Sequence, residues 1–274
     1  MLIEEIKNTD CGFFDSHAHY YDGRFYGEEN PEGAEALLSA LFEQGLLGVV
    51  NIGASYHESL KVVEQAKRFE RVYAAVGVHP EGLVSEGMGF KEQIEGVRAL
   101  AENRAENKVV AIGEIGLDYY WRQDNKAEQQ ECFELQLSLA RELSLPVIIH
   151  DREAHGDCFE TILRYPEVRG VFHSYSGSAE MARELIKRGW YISFSGVVSF
   201  KNAAKIKEVA AVVPDDRFLI ETDAPYLAPH PFRGKINHSG RLLYTASALA
   251  EARNTDVANI SALSYANSKV LFGI

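Results

Sequence analysis

The chain has 274 residues, 46% hydrophobic and 25% charged, which is ordinary globular usage and excludes disordered and fibrous classes. Lys and Arg number 28 against 40 Asp and Glu, and the net charge of −12 argues against broad electrostatic attraction to nucleic acid or anionic lipid. No apolar run reaches the roughly 18 residues that would suggest a membrane span, so no membrane partner is expected.

Met1–Asn8 lacks a basic stretch followed by an apolar one, so it does not read as a signal peptide. Short β-branched and aromatic runs then predict strands at Phe13–His19, Gly48–Gly53, Val72–His79, Val109–Glu114, Pro146–His150, Gly170–His173, Tyr191–Ser195 and Phe218–Asp223. Several are continuously apolar, as strands covered on both faces should be. Segments of helical period lie between them, at Pro31–Gln44, Tyr56–Arg68, Lys91–Asn103, Lys126–Leu143, Glu153–Arg164, Ala179–Lys187 and Ala203–Val212. Tyr244–Arg253 and Val257–Phe272 close the chain.

Strict strand–helix alternation predicts an α/β fold, a TIM (β/α)8 barrel formed by residues 1–274 as one domain. A doubly wound open sheet is the alternative, since periodicity does not show closure. Cys11, Cys132 and Cys158 are odd in number and form no C-x-x-C pair. Neither a disulfide framework nor a thiolate zinc site is expected, and a reducing cytoplasm fits best.

Ionisable residues collect at the predicted strand ends. In Asp15-Ser-His-Ala-His19, alternate side chains should share one face, so His17 and His19 can reach one metal ion and Asp15 stands beside them. Glu114 ends the fourth predicted strand, His150 the fifth, His173 the sixth and Asp223 the eighth. Parallel barrel strands end at one mouth, so these residues should converge there, with enough N and O donors for two metals. Glu221 lies deeper on the Asp223 strand, and it and Asp15 could orient ligating imidazoles. Asp118 reads as a loop cap. Arg233 and Lys235 follow Asp223 in a long connection and are candidates for phosphate binding.

The ordered motifs resemble the TatD family of metal-dependent hydrolases and deoxyribonucleases over nearly the whole chain. They are Asp15-Ser-His-Ala-His19, Gly77-Val-His-Pro80, Gly113-Glu-Ile-Gly-Leu-Asp-Tyr-Tyr120, Leu145-Pro-Val-Ile-Ile-His150, His173-Ser-Tyr-Ser-Gly177, Glu221-Thr-Asp-Ala-Pro-Tyr-Leu227 and Arg233-Gly-Lys235. The resemblance implies a TIM barrel with two divalent metal ions at its mouth, acting on DNA. It implies that Glu114 bridges the ions, that His17, His19 and Asp223 hold one, and that His150 and His173 hold the other. His79 would contact substrate phosphate, and Asp223 would also serve as general base. An all-N/O ligand set suits Mg²⁺, Mn²⁺, Zn²⁺ or Ni²⁺.

Family members commonly continue Arg-Gly-Lys-Arg-Asn-Glu-Pro, whereas this chain reads Arg233-Gly-Lys-Ile-Asn-His-Ser239. The expected substrate is DNA or another phosphodiester with short or single-stranded ends, and no obligate protein partner is implied. The alternatives are an amidohydrolase-like lactonase, amidase or deacetylase, and a non-catalytic binding barrel.

Overall fold

The computed structural model describes residues 12–27 and 30–274, so Met1–Asn8 and Cys11 lie outside the described residues. The apolar runs form eight parallel strands: β1 (Phe13–Ala18), β2 (Leu46–Ile52), β3 (Val72–Val76), β4 (Val109–Asp118), β5 (Val147–Arg152), β6 (Gly170–Phe172), β7 (Tyr191–Phe194) and β8 (Phe218–Ile220). Each pairs with its neighbour in chain order. Closure between the first and last is made just beyond β8. Asp223 N donates to His17 O at 2.9 Å, and His19 N donates to Ala224 O at 2.7 Å. The result is a (β/α)8 barrel.

Helices α1 (Gly33–Glu43), α2 (Tyr56–Arg68), α3 (Phe90–Glu102), α4 (Arg104–Asn107), α5 (Lys126–Leu143), α6 (His155–Leu163), α7 (Ala179–Lys187), α8 (Ala204–Val212), α9 (Leu242–Arg253) and α10 (Val257–Phe272) surround it. Their buried faces and the outward strand residues form one continuous core. A second cluster of strand residues, including Phe14, Val50, Ile148, Val171 and Leu219, is joined by Phe272 of α10. No helix among the described residues is long and apolar enough to cross a membrane.

Two departures from the sequence expectation bear on function. Strand β4 does not end at Glu114 but continues to Asp118, paired with β5 as far as Asp118 opposite Arg152. Gly116, which looks like a strand breaker, permits this close approach: its φ is +139°, and a Cβ there would lie 2.1 Å from His150 O. Asp118 is therefore on a strand rather than in a loop. The second departure is in β1, whose pairing with β2 shifts register between Asp15 and Ala18. That irregularity breaks the alternation on which a shared face for Asp15, His17 and His19 relied.

Candidate metal centre

His17 lies on β1 and His19 just beyond it; Glu114 lies within β4 and His150 within β5; His173 and Asp223 follow β6 and β8. Because parallel strands deliver their C-terminal ends to one mouth, these six side chains meet. Glu114 is the centre of the arrangement. Its Oε2 lies 3.4 Å from His17 Nε2 and 3.8 Å from His19 Nε2. Its Oε1 lies 2.7 Å from His173 Nε2 and 2.8 Å from His150 Nδ1. Asp223 Oδ1 completes the first group, 3.3 Å from His19 Nε2 and 3.6 Å from His17 Nε2. His79 Nε2 adds to the second, 3.8 Å from Glu114 Oε1.

The orientation of three rings is fixed from behind. His19 Nδ1 donates to Ile52 O at 2.8 Å, which turns Nε2 toward the centre. His150 Nε2 faces Asp118 Oδ2 at 2.9 Å, which turns Nδ1 inward. His173 Nδ1 faces Glu221 Oε1 at 3.2 Å, and Glu221 also accepts from Ser174 N at 2.7 Å. Glu221 thus sits where its strand position placed it. Asp118 does more than the loop capping expected of it: besides orienting His150, its Oδ1 accepts from Tyr120 N and Trp121 N at 2.9 Å. The sequence carried a signal for the cap but none for the imidazole contact, which depends on β4 continuing past Gly116.

Asp15 is placed otherwise than expected. The register shift in β1 turns its carboxylate away from the imidazoles to Thr222 Oγ1 and Ser239 Oγ, at 2.6 and 2.7 Å, and to the backbone N–H groups of Thr222 and His17. It fastens β1 to the segment after β8. Burial pushes its pKa up to about 7 against the pull of those hydrogen bonds. The stretch that departs from the common family pattern belongs to this fastening. Ser239 N donates to Tyr20 Oη at 3.0 Å, a bond that a proline at this position could not make. Arg233 and Lys235 are exposed, with the Arg233 guanidinium 5.1 Å from the Phe200 ring centroid.

Burial opposes charge on every group here, so each shift shows which partner wins. For Glu114, burial is outweighed by His173, His17 and His79, and its pKa falls well below the carboxylate range. For His150, burial is outweighed by Asp118 and Glu114, and its pKa rises to about 9. The His173 pKa rises against burial because of Glu114 and Glu221. Burial dominates at His79 and is reinforced by His150, so its pKa drops to about 3. Both upward shifts favour a proton on the inward nitrogens, His150 Nδ1 and His173 Nε2.

The residues fit divalent cations. All inward atoms are imidazole nitrogens or carboxylate oxygens, and ring nitrogens crowd together, His17 Nε2 3.1 Å from His19 Nε2 and His150 Nδ1 3.3 Å from His173 Nε2. His17 with His19 and Glu114, and His79 with Glu114 and His150, form compact ligand groups. Cations must displace the inward protons, so metal binding should release protons, and apparent affinity should increase with pH up to about 9. The sign for stability is opposite. A folded-state His150 pKa raised from 6.5 to about 9 stabilises the metal-free protein fully below 6.5, and that contribution is lost as pH rises through 9. Titration calorimetry in buffers of different ionisation enthalpy, with metal-free melting curves over pH 6.5–9, checks both signs. Metal binding without proton release would contradict them.

The TatD related DNase family profile matches residues 14–273. The chain belongs to this family. A Bacillus subtilis (strain 168) protein named uncharacterized metal-dependent hydrolase YabD is 39% identical over 264 residues, covering 95% of this TatD-family chain and 99% of the relative. A Mycobacterium tuberculosis (strain ATCC 25618 / H37Rv) protein named uncharacterized metal-dependent hydrolase TatD is 33% identical, with 95% and 97% covered. The crystal structure of YJJV, a TatD homolog from Escherichia coli K12, superposes with a TM-score of 0.85 at 29% identity, covering 96% of this chain and 99% of that one.

Proposed function

We propose that this TatD-family chain is a two-metal phosphodiesterase that cleaves DNA, with residues 1–274 acting as one hydrolase domain in the cytoplasm. The observation that carries the reading is Glu114, whose two oxygens face two different sets of imidazoles. His17, His19 and Asp223 would hold one ion, His150 and His173 the other, with Glu114 between them. Divalent ions there would act as Lewis acids toward a phosphoryl oxygen and lower the pKa of water.

The chain's own groups do the rest. Asp223 is held ionised, since His19, His17 and His173 together outweigh its burial and lower its pKa. Its carboxylate can therefore accept a proton from the attacking water. His79 Nδ1 accepts from Glu81 N at 3.2 Å, which leaves the ring proton on Nε2. A neutral N–H donor then points to the Glu114 side, suited to a phosphate oxygen. The net charge of −12 disfavours coating by long duplex, so short or single-stranded ends entering the mouth are the favoured substrate.

Replacing Arg233 and Lys235 together by Ala tests this reading, with oligonucleotides beside neutral esters and lactones under defined metals. If the cations hold phosphate oxygens, each charge-assisted contact is worth about 1.5–3 kcal/mol, and kcat/KM on phosphodiesters should fall accordingly. The salt dependence of oligonucleotide binding should flatten, while neutral substrates respond little. Rapid lactone or ester turnover with oligonucleotides left intact would move the chain to carbonyl chemistry.

A further inference from the structure

Four aromatic rings are exposed among the described residues: Tyr26, Tyr120, Trp121 and Tyr226, at 49%, 53%, 59% and 42%. All four follow the C-terminal ends of barrel strands, Tyr26 after β1, Tyr120 and Trp121 after β4, and Tyr226 after β8. Exposed aromatic surface gathered on the rim of one mouth calls for an explanation that scattered exposure would not. Tyr26 is tied to a helix, donating to Glu35 Oε2 of α1 at 3.1 Å. The other three flank the candidate metal centre.

On one side, Asp118 links the rings to the centre. Its Oδ2 lies 2.9 Å from His150 Nε2, and its Oδ1 accepts from Tyr120 N and Trp121 N at 2.9 Å. Three hydrogen bonds through one carboxylate thus fix the ring-bearing backbone relative to a metal-facing imidazole. Trp121 meets Tyr120 edge-on at 4.8 Å, and the Arg152 guanidinium lies 4.3 Å from the Tyr120 centroid and 5.7 Å from that of Trp121. On the other side, Tyr226 stands edge-on to His19 at 6.1 Å. The Arg24 guanidinium covers one face of Tyr226 at 4.2 Å, and Tyr226 Oη donates to Asp22 Oδ2 at 3.3 Å. His19 and His150 face different oxygens of Glu114. Each set therefore has its own arginine-braced aromatic ring.

We propose that Trp121 and Tyr226 are base-stacking subsites on either side of the scissile phosphate, each taking one unpaired nucleobase of the dinucleotide step being cut. The inference rests on the phosphodiesterase reading and deepens it. Flat rings offer a stacking surface to any base, and arginine beside them adds cation–π attraction and a positive partner for the flanking phosphates. Arg152 thus places local positive charge on the rim of a chain whose net charge is −12, while Arg24, paired with Asp22 Oδ1 at 3.2 Å, holds the Tyr226 ring in place. Stacking requires bases free of their partners, so the subsites select single-stranded ends over duplex.

Metal-loaded protein and single-stranded oligonucleotides carrying one abasic residue, placed 5′ or 3′ of the cleaved bond, test the assignment. With the wild-type protein each abasic position should lower kcat/KM by about 5- to 150-fold, the range expected for one stacked base. Trp121→Ala should abolish the penalty on one side only, and Tyr226→Ala on the other. Trp121→Phe and Tyr226→Phe keep a ring and should retain most of it. If an alanine variant fails to melt cooperatively, Trp121→Leu or Tyr226→Leu, with apolar bulk but no flat ring, serves in its place. Cleavage with no abasic penalty, or penalties unchanged in both ring-less variants, would overturn the subsites alone. Loss of the same side in both variants would overturn the flanking arrangement. A wild-type protein that cleaves no oligonucleotide would remove the phosphodiesterase reading together with the subsites.

Discussion

Asp223→Asn should lower kcat about 10²–10⁴-fold while the barrel and much of the bound metal persist. The amide can still present an oxygen toward His17 and His19, but it cannot accept a proton from water. Backbone conformation favours this exchange over others. Asp223 has φ +57°, a left-handed conformation that Asn adopts more readily than most residues. Its N–H holds the closure to His17 O at 2.9 Å and is unaffected by the side-chain change. The variant should therefore melt like the parent. Turnover near the parental value in a folded, metal-loaded Asp223→Asn would remove Asp223 from the role of base.

Glu114→Gln should cost more metal affinity than any substitution of an orienting partner. Partners such as Asp118 and Glu221 touch the inward-facing His150 and His173 rings from behind, and losing such a partner of a metal-ligating His typically costs about 10–100-fold in affinity. Glu114 differs because both of its oxygens face nitrogens, at 2.7 to 3.4 Å for His173, His150 and His17. A glutamine keeps one acceptor, loses the negative charge and places an NH₂ group where a cation is expected. Competition with a coloured chelator, run on Glu114→Gln, Asp118→Asn and Glu221→Gln, orders the effects. Equal losses in all three would mean that Glu114 does not bridge two ions.

Much of the frame was legible because local chemistry and tertiary role agree. Tyr56–Arg68, Lys126–Leu143, Ala179–Lys187 and Val257–Phe272 are helices with the bounds their periodicity predicts. Ser178 caps α7, accepting from Met181 N at 3.2 Å, a role its residue type suits. What was not legible depends on contacts between distant segments. Gly113 and Gly116 look like the end of a strand, yet β4 continues through them because β5 approaches too closely for a side chain. The hairpin Val84–Ser85 with Met88–Gly89 is too short to show any period.

The same division holds at the site. The convergence of His17, His19, Glu114, His150, His173 and Asp223 follows from parallel strands ending at one mouth. The partners behind them do not. His19 is set by the backbone carbonyl of Ile52, which no residue type announces. Asp15 turns to Thr222 and Ser239 because β1 shifts register, a change invisible in an alternating sequence. Asp118 reaches His150 only because its strand extends to it. Spacing revealed which residues gather; side-chain direction decided what each one touches.

A paired-cation site around Glu114 that cleaves phosphodiesters should need both ions for turnover. Titrating metal-free protein with one divalent ion at a time, while following cleavage of a single-stranded oligonucleotide, tests it most directly. Activity should rise to a break near two ions per chain, vanish in excess chelator and return when metal is restored. Full cleavage by protein stripped of metal would contradict a metal-dependent site, and saturation at a single ion would contradict a paired one.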